Sequence, residues 1–150
     1  MPTPHNSPGA DKRPVVLVTA VGAPPGLNVL RALVDAGGCD LIAADADPLS
    51  SGLYQFMTQH AVLPLATDTR AYVDALVNLV RTRAVNVILP CIEDEVTVLA
   101  RYRAELEAVG AKLLVPEVEV VHAVTDKGAC TRIARNNGID CPASQVLPME

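Results

Sequence analysis

Over residues 15–36 an apolar run, a turn rich in glycine and proline, and an amphipathic segment follow one another without a spare residue. Val15, Val16, Leu17 and Val18 are continuous rather than alternating, which predicts a strand over 15–20 buried on both faces. Gly22-Ala23-Pro24-Pro25-Gly26 is expected to break it. From Leu27 onward Leu27, Leu30, Leu33 and Val34 fall at helical spacing, with Asn28, Arg31 and Asp35 on the opposite face. A strand, a tight turn and a helix in this order aim the helix N-terminus, with its unpaired N–H groups, at the carboxyl edge of a sheet.

The same alternation continues. Gly37-Gly38 closes the first helix, and residues 40–44 form a second short strand that ends on Asp45 and Asp47. A loop over 48–52 and a helical turn near 53–57 precede a third strand at 60–63. Asp68 or Thr69 can cap a helix to Arg83 with Tyr72, Val73, Leu76, Leu79 and Val80 inward. A fourth strand at 85–89 leads through Pro90-Cys91-Ile92 into one helix over about 93–109, and Gly110 stops it. The fifth strand is expected at 112–115, then a short helix from Pro116 carrying Val118, Val121 and Val124. Asp126 caps a last helix that ends at Asn137-Gly138, with Gly138 left-handed and Ile139 folded back on it. Strands alternating with helices predict an α/β fold, a doubly wound parallel sheet of about five strands in the order 3-2-1-4-5, in three α/β/α layers. The expected organisation is a disordered tail over 1–13, one domain over 14–125, and a helix with linker over 126–150 leading into a further domain.

Composition narrows the chemistry. Of 150 residues half are apolar, yet there are one Phe, three Tyr and no Trp, so the core must be aliphatic. A net charge of −5 without a basic run, and almost no aromatic side chains for base stacking, argue against nucleic acid as a partner. Residues 1–13 are rich in Pro, Asn, Ser and Gly and have no apolar core, so they read as neither a signal peptide nor a membrane span. Cys39, Cys91, Cys130 and Cys141 lie far apart with no His in zinc-site register, which fits small core residues in a reducing, cytoplasmic setting.

Three groups of residues are candidates for chemistry. Gly22 and Gly26 frame a turn that could cradle phosphate, although Pro24 and Pro25 each remove an N–H; the same glycines would serve simply to let strand and helix pack closely. Asp45 stands about where a ribose-binding acid would sit in a nicotinamide-binding fold. Glu93, Asp94 and Glu95 follow the fourth strand near a topological switch point, where they either face a small-molecule pocket or decorate a helix N-terminus. His60 and His122 have no evident partner, and no serine or cysteine nucleophile motif is present.

The most specific stretch is Asp126-Lys127-Gly128-Ala129-Cys130 through Asn137-Gly138-Ile139-Asp140-Cys141-Pro142. An Asp-Lys pair opening a helix that closes about ten residues later in Gly-Ile resembles the junction where ATP-grasp ligases pass from their N-terminal domain into the nucleotide-binding part. The earlier order is also similar to that family: the strand-glycine-helix opening, Ala44-Asp45-Ala46-Asp47-Pro48, the strand ending in Leu89-Pro90, and Lys112-Leu113-Leu114-Val115-Pro116. The chain looks most like the carbamoyl phosphate synthetase large chain and its relatives, including biotin carboxylase, over residues 15–142.

The resemblance implies a Rossmann-like pre-ATP-grasp domain that supplies part of a substrate pocket. ATP and magnesium would be held in the complete enzyme by later subdomains, and none is expected on this chain. It implies a small-molecule carboxylate or amine substrate and leaves room for a homodimer. Lys127 matches a nucleotide contact of the family, and Gly22, Gly26 and Asp45 match the substrate-side edge in a general way. A free-standing NAD(P)-binding domain is the alternative.

Overall fold

A computed structural model describes residues 12–144. The strands are β1 (Val15–Val18), β2 (Asp40–Asp45), β3 (Gln59–Val62), β4 (Val87–Leu89) and β5 (Lys112–Leu113). The helices are α1 (Pro24–Ala36), α2 (Thr69–Arg83), α3 (Glu93–Arg101), α4 (Arg103–Ala108), α5 (Val118–Thr125) and α6 (Lys127–Asn136), with a 3-10 turn at Ser51–Leu53. The sheet is five-stranded in the order β3-β2-β1-β4-β5, and every pair is parallel. Fold class and strand order are therefore as the sequence predicts.

β1 sits at the centre because its apolar run can be covered on both faces. Leu17 joins Ile42, Ile88, Tyr72, Leu76, Leu99 and Leu106 under α2, α3 and α4, whereas Val16 and Val18 join Leu30 and Leu53 under α1 and the 3-10 turn. The α2 face is the predicted one, with Tyr72, Val73, Leu76, Leu79 and Val80 all buried and Asp68 capping through its side chain. The end of α6 is also as expected. Gly138 has φ +71°, its N–H donates to Arg135 O at 3.1 Å, and Ile139 N–H donates to Ala134 O at 3.0 Å, the paired bonds of a Schellman motif.

Several expectations are corrected. The strand is broken as expected, but α1 starts at Pro24 rather than at Leu27, since the first helical positions need no intrahelical N–H and the fixed φ of proline suits them. Within α1, Leu30 is buried while Val34 is exposed; the inward face is completed by Gly26, Val29 and Leu33. The single helix expected over 93–109 is two, because the backbone at Tyr102 (φ −102°, ψ 16°) leaves helical values. β4 and β5 are shorter than expected. Beyond Leu113, among the described residues, only Leu114 N–H still reaches β4, donating to Ile88 O at 3.1 Å, and the carbonyls of Val115 and Pro116 accept from the Arg103 guanidinium at 2.5 and 2.9 Å. The cysteines are free, and none is a core residue: Cys130 is exposed, and Cys39 and Cys91 only border the second core cluster. Of the disordered tail expected over 1–13, residues 1–11 lie outside the described residues, while Lys12 and Arg13 are exposed coil and the Arg13 guanidinium donates to Cys39 O at 2.7 Å.

Ala84 ends α2 in the left-handed conformation at φ 53°, a geometry that costs an L-residue roughly 1–2 kcal/mol. It is exposed. Ala84→Gly is expected to stabilise the fold by about 0.5–1 kcal/mol, after allowing for the extra chain entropy of glycine when unfolded. A lower urea midpoint for the variant would contradict this.

Candidate functional site

In a doubly wound sheet the chain reverses direction across the first strand, so the loops at the carboxyl ends diverge there and leave a crevice. Here β1 lies between β2 and β4, and the crevice is a cavity of about 360 Å³ at the carboxyl edge. Four strand ends and their loops build it: Ala20, Gly22 and Ala23 after β1; Asp45 at the end of β2 with Asp47, Ser50 and Ser51 after it; residues 64–67 after β3; and Ile92, Asp94 and Glu95 after β4.

The turn after β1 is set by Ala20, whose φ of 52° swings the chain so that Ala23 N–H donates back to Ala20 O at 3.0 Å. Gly26 packs directly on this turn: a Cβ there would lie 2.2 Å from Ala20 O. Gly52 does the same from the other side, where a Cβ would lie 2.1 Å from Val21 O. Gly26 therefore provides close packing of helix on strand, and it is not among the cavity residues. Gly22 is. Its N–H, however, donates to Asp45 Oδ2 at 2.7 Å, while Asp45 Oδ1 accepts from Asp47 N–H at 2.9 Å. Asp45 thus ties the β1 and β2 loops together at the cavity wall.

The acidic trio after β4 divides. Asp94 lines the rim and is exposed, Glu93 points elsewhere, and Glu95 turns inward, 6% exposed, at the third position of α3. Glu95 Oε2 accepts from the Thr19 hydroxyl at 2.5 Å. Tyr72 rises from α2 to place its hydroxyl beside the same pair, fully buried and in hydrogen-bond geometry with neither. Burial holds the Glu95 carboxyl above the usual carboxylate range, opposed by the Thr19 hydroxyl. The Cys91 thiol next to it is pushed up to about 11, first by burial and then by the Glu95 charge, so it is a poor nucleophile at neutral pH.

Glu95 makes a signed prediction about stability. A carboxyl whose folded pKa exceeds its unfolded one binds more protons in the folded state, so its cost is absent at acid pH and grows as pH rises above about 4.5. Glu95→Gln keeps the acceptor for Thr19 and removes the charge. Its melting temperature is expected to exceed the parent's at neutral pH, with the gap closing toward pH 4. A gap that widens on acidification would invert the assignment.

Lys127 stands apart. It opens α6, is exposed, and does not line the cavity of Gly22 and Asp45. Asp126 caps that helix by accepting from Ala129 N–H at 3.0 Å, which also lowers the Asp126 pKa. Among the described residues no carboxylate pairs with Lys127. His60 packs edge-on against Tyr54, with ring centroids 5.2 Å apart. Thr19, Ser50 and Tyr72 are the cavity and near-cavity residues that sequence reasoning missed. The one available signal was Thr19, a polar residue interrupting an apolar run at the end of the central strand.

Among the described residues, no group of three or more His, Cys, Asp or Glu side chains is placed to hold a metal ion. No helix among them is long and apolar enough to cross a membrane.

Comparison with curated protein sequences finds no match. Solved structures do match. The biotin carboxylase domain of a thermophilic 2-oxoglutarate carboxylase, bound to bicarbonate, superposes with a TM-score of 0.59 at 15% identity, covering 85% of this chain and 28% of the other. That of a single-chain bacterial carboxylase gives 0.57 at 20% identity, covering 83% and 29%. The biotin carboxylase subunit of a pyruvate carboxylase gives 0.56 at 16% identity, covering 84% and 28%. The chain therefore spans less than a third of the length of these relatives by fold, and it shares the architecture of their N-terminal region. Residues 16–114 match the model of the PylC-like, N-terminal domain. That span contains all five strands except Val15 at the start of β1, and the whole wall of the cavity, so the resemblance to a pre-ATP-grasp domain is met, and the chain belongs to the PylC-like N-terminal domain family.

Proposed function

We propose that this chain is the substrate-side N-terminal domain of an ATP-dependent carboxylate–amine ligase and is not catalytic by itself. The observation that carries the reading is the cavity across the switch point of a PylC-like domain, walled by four loops and free of the glycine-rich phosphate loop that a dinucleotide-binding domain needs. In such a ligase the γ-phosphoryl group of ATP passes to a carboxylate oxygen, giving an acyl phosphate and ADP. An amine then attacks the acyl carbon, and phosphate leaves as the amide forms. The part of this chain is to bind and orient a substrate: β1 and α1 fix one wall, Asp45 locks the loops after β1 and β2, and Glu95 presents a buried carboxyl group. ATP and magnesium belong to later subdomains, with Lys127 reaching the nucleotide from the junction.

The test is titration of the chain with ATP, NAD and NADP by calorimetry. None should bind at micromolar concentration, because one exposed lysine without metal-binding acids cannot offset the desolvation of phosphates. Micromolar binding of NAD or NADP that is abolished by Asp45→Ala would replace the ligase reading with that of a dinucleotide-binding domain. For Lys127, a cation in the first turn faces the positive end of the helix dipole, at a cost of about 0.3–1 kcal/mol. Lys127→Ala is accordingly expected to leave the melting temperature unchanged or slightly higher, yet to raise the KM for ATP in the complete enzyme. Unaltered ATP kinetics there would remove Lys127 from the nucleotide site.

A further inference from the structure

We infer that the carboxyl-edge cavity takes the amine partner of the ligation, a small aliphatic amine whose ammonium group seats against Glu95. The inference rests on the ligase reading and goes beyond it by choosing between the two substrate classes. The first ground is charge: Asp45, Asp47, Asp94 and Glu95 line the cavity, and among the described residues no lysine, arginine or histidine does. A carboxylate or phosphate entering this space would meet only like charge, whereas an ammonium would be drawn in.

The second ground is independent of the acids' number. Ser50 lines the same cavity, is only 7% exposed, and its hydroxyl has no hydrogen-bond partner among the described residues. A buried hydroxyl left unpaired costs free energy that a ligand can recover, and its oxygen can accept from an N–H donor. An ammonium carries three such donors, and Glu95 is the acceptor buried deepest in the wall. Burial disfavours the ionised form of Glu95, and a bound cation would offset that by stabilising the carboxylate.

Two features separate an organic amine from a bare cation. The carboxylates are spread around the wall, and among the described residues no three acidic, His or Cys side chains converge as a metal requires. The remaining wall is aliphatic, from Ala20, Pro64, Leu65, Ala66 and Ile92, and the volume of about 360 Å³ leaves room for a carbon body beyond the charged head.

The experiment is an amide NMR titration of the 150-residue chain with n-butylammonium chloride, with sodium butyrate and potassium chloride at matched ionic strength as comparisons. Saturable shifts are expected with butylammonium, confined to amides near Gly22, Ser51, Thr67 and Asp94, and absent with the other two salts. Glu95→Gln should weaken the interaction about tenfold or more through loss of a charge-assisted hydrogen bond, without loss of the folded spectrum. Asp94→Asn, at the exposed rim, should weaken it less and serves as a second reading should Glu95→Gln perturb the core. An equal response to butyrate, no saturable response, or affinities indifferent to both substitutions would overturn the inference. If that happens while NAD and NADP remain unbound, the ligase reading stands and only the choice of amine falls.

Discussion

Gly26→Val is expected to destabilise the protein by about 3 kcal/mol, at the upper end of what overpacking usually costs. The added Cβ would lie 2.2 Å from Ala20 O and 2.9 Å from Thr19 O, both backbone atoms of the turn that closes β1. Neither can swing aside as a side chain would. Thr19 N–H is bonded to Leu89 O at 3.2 Å and Val21 N–H to Ala44 O at 3.2 Å, so the turn is held from both neighbouring strands. The relief available is a shift of α1 away from the sheet, which would open the packing of Leu30 on Val16 and Val18. Gly37→Ala makes the informative comparison. Nothing lies within 4 Å of its missing Cβ, and only its φ of +65° is strained, so the cost should stay near 1–2 kcal/mol. Urea denaturation followed by circular dichroism measures both, and a Gly26→Val midpoint equal to the parent's would refute the close approach.

Leu17→Ala is expected to cost about 2–5 kcal/mol, the range for truncating a wholly buried leucine. Leu17 is 0% exposed and lies in register between Ile42 on β2 and Ile88 on β4, in the core beneath α2 and α3. Its neighbours on either side are fixed by the strand ladders and cannot close over the void. Val34→Ala, on the exposed side of α1, should change stability by less than about 0.5 kcal/mol. Comparable losses for the two variants would mean that β1 is not the centre of the sheet.

The order of the elements was legible because each is announced locally. The continuous apolar run at 15–18 reads as a central strand, the spacing of Tyr72, Val73, Leu76, Leu79 and Val80 picks the buried face of α2, and Asn137-Gly138-Ile139 writes out its own helix stop. What escaped depends on contacts across the chain. Nothing near Tyr102 in the sequence marks a helix break; no proline or glycine adjoins it. The prolines at 24 and 25 have two local meanings, breaker or helix opener, and the packing of Gly26 on Ala20 decides between them. Glu93, Asp94 and Glu95 are equivalent by composition, yet only one of them points under the sheet edge, toward Thr19. A candidate site was visible as a cluster of acids after a strand; which acid is buried, and that Ser50 and Tyr72 stand near it, are consequences of tertiary placement.

The strand order also sets a timetable for the newly made chain. Val16 pairs with Leu41 on one side and with Val87 on the other. β2 and β3 emerge soon after β1 and can close one flank while translation continues, but the other flank has to wait for β4. At ordinary rates of synthesis that interval is on the order of seconds, far longer than a hairpin or helix needs to form. Throughout it the most apolar strand of the molecule has unpaired N–H and C=O groups along one side, a template for any other extended chain nearby. The ribosome-bound half-domain, rather than the finished fold with β1 enclosed, is where this protein is most exposed to aggregation and where a chaperone would have most to protect.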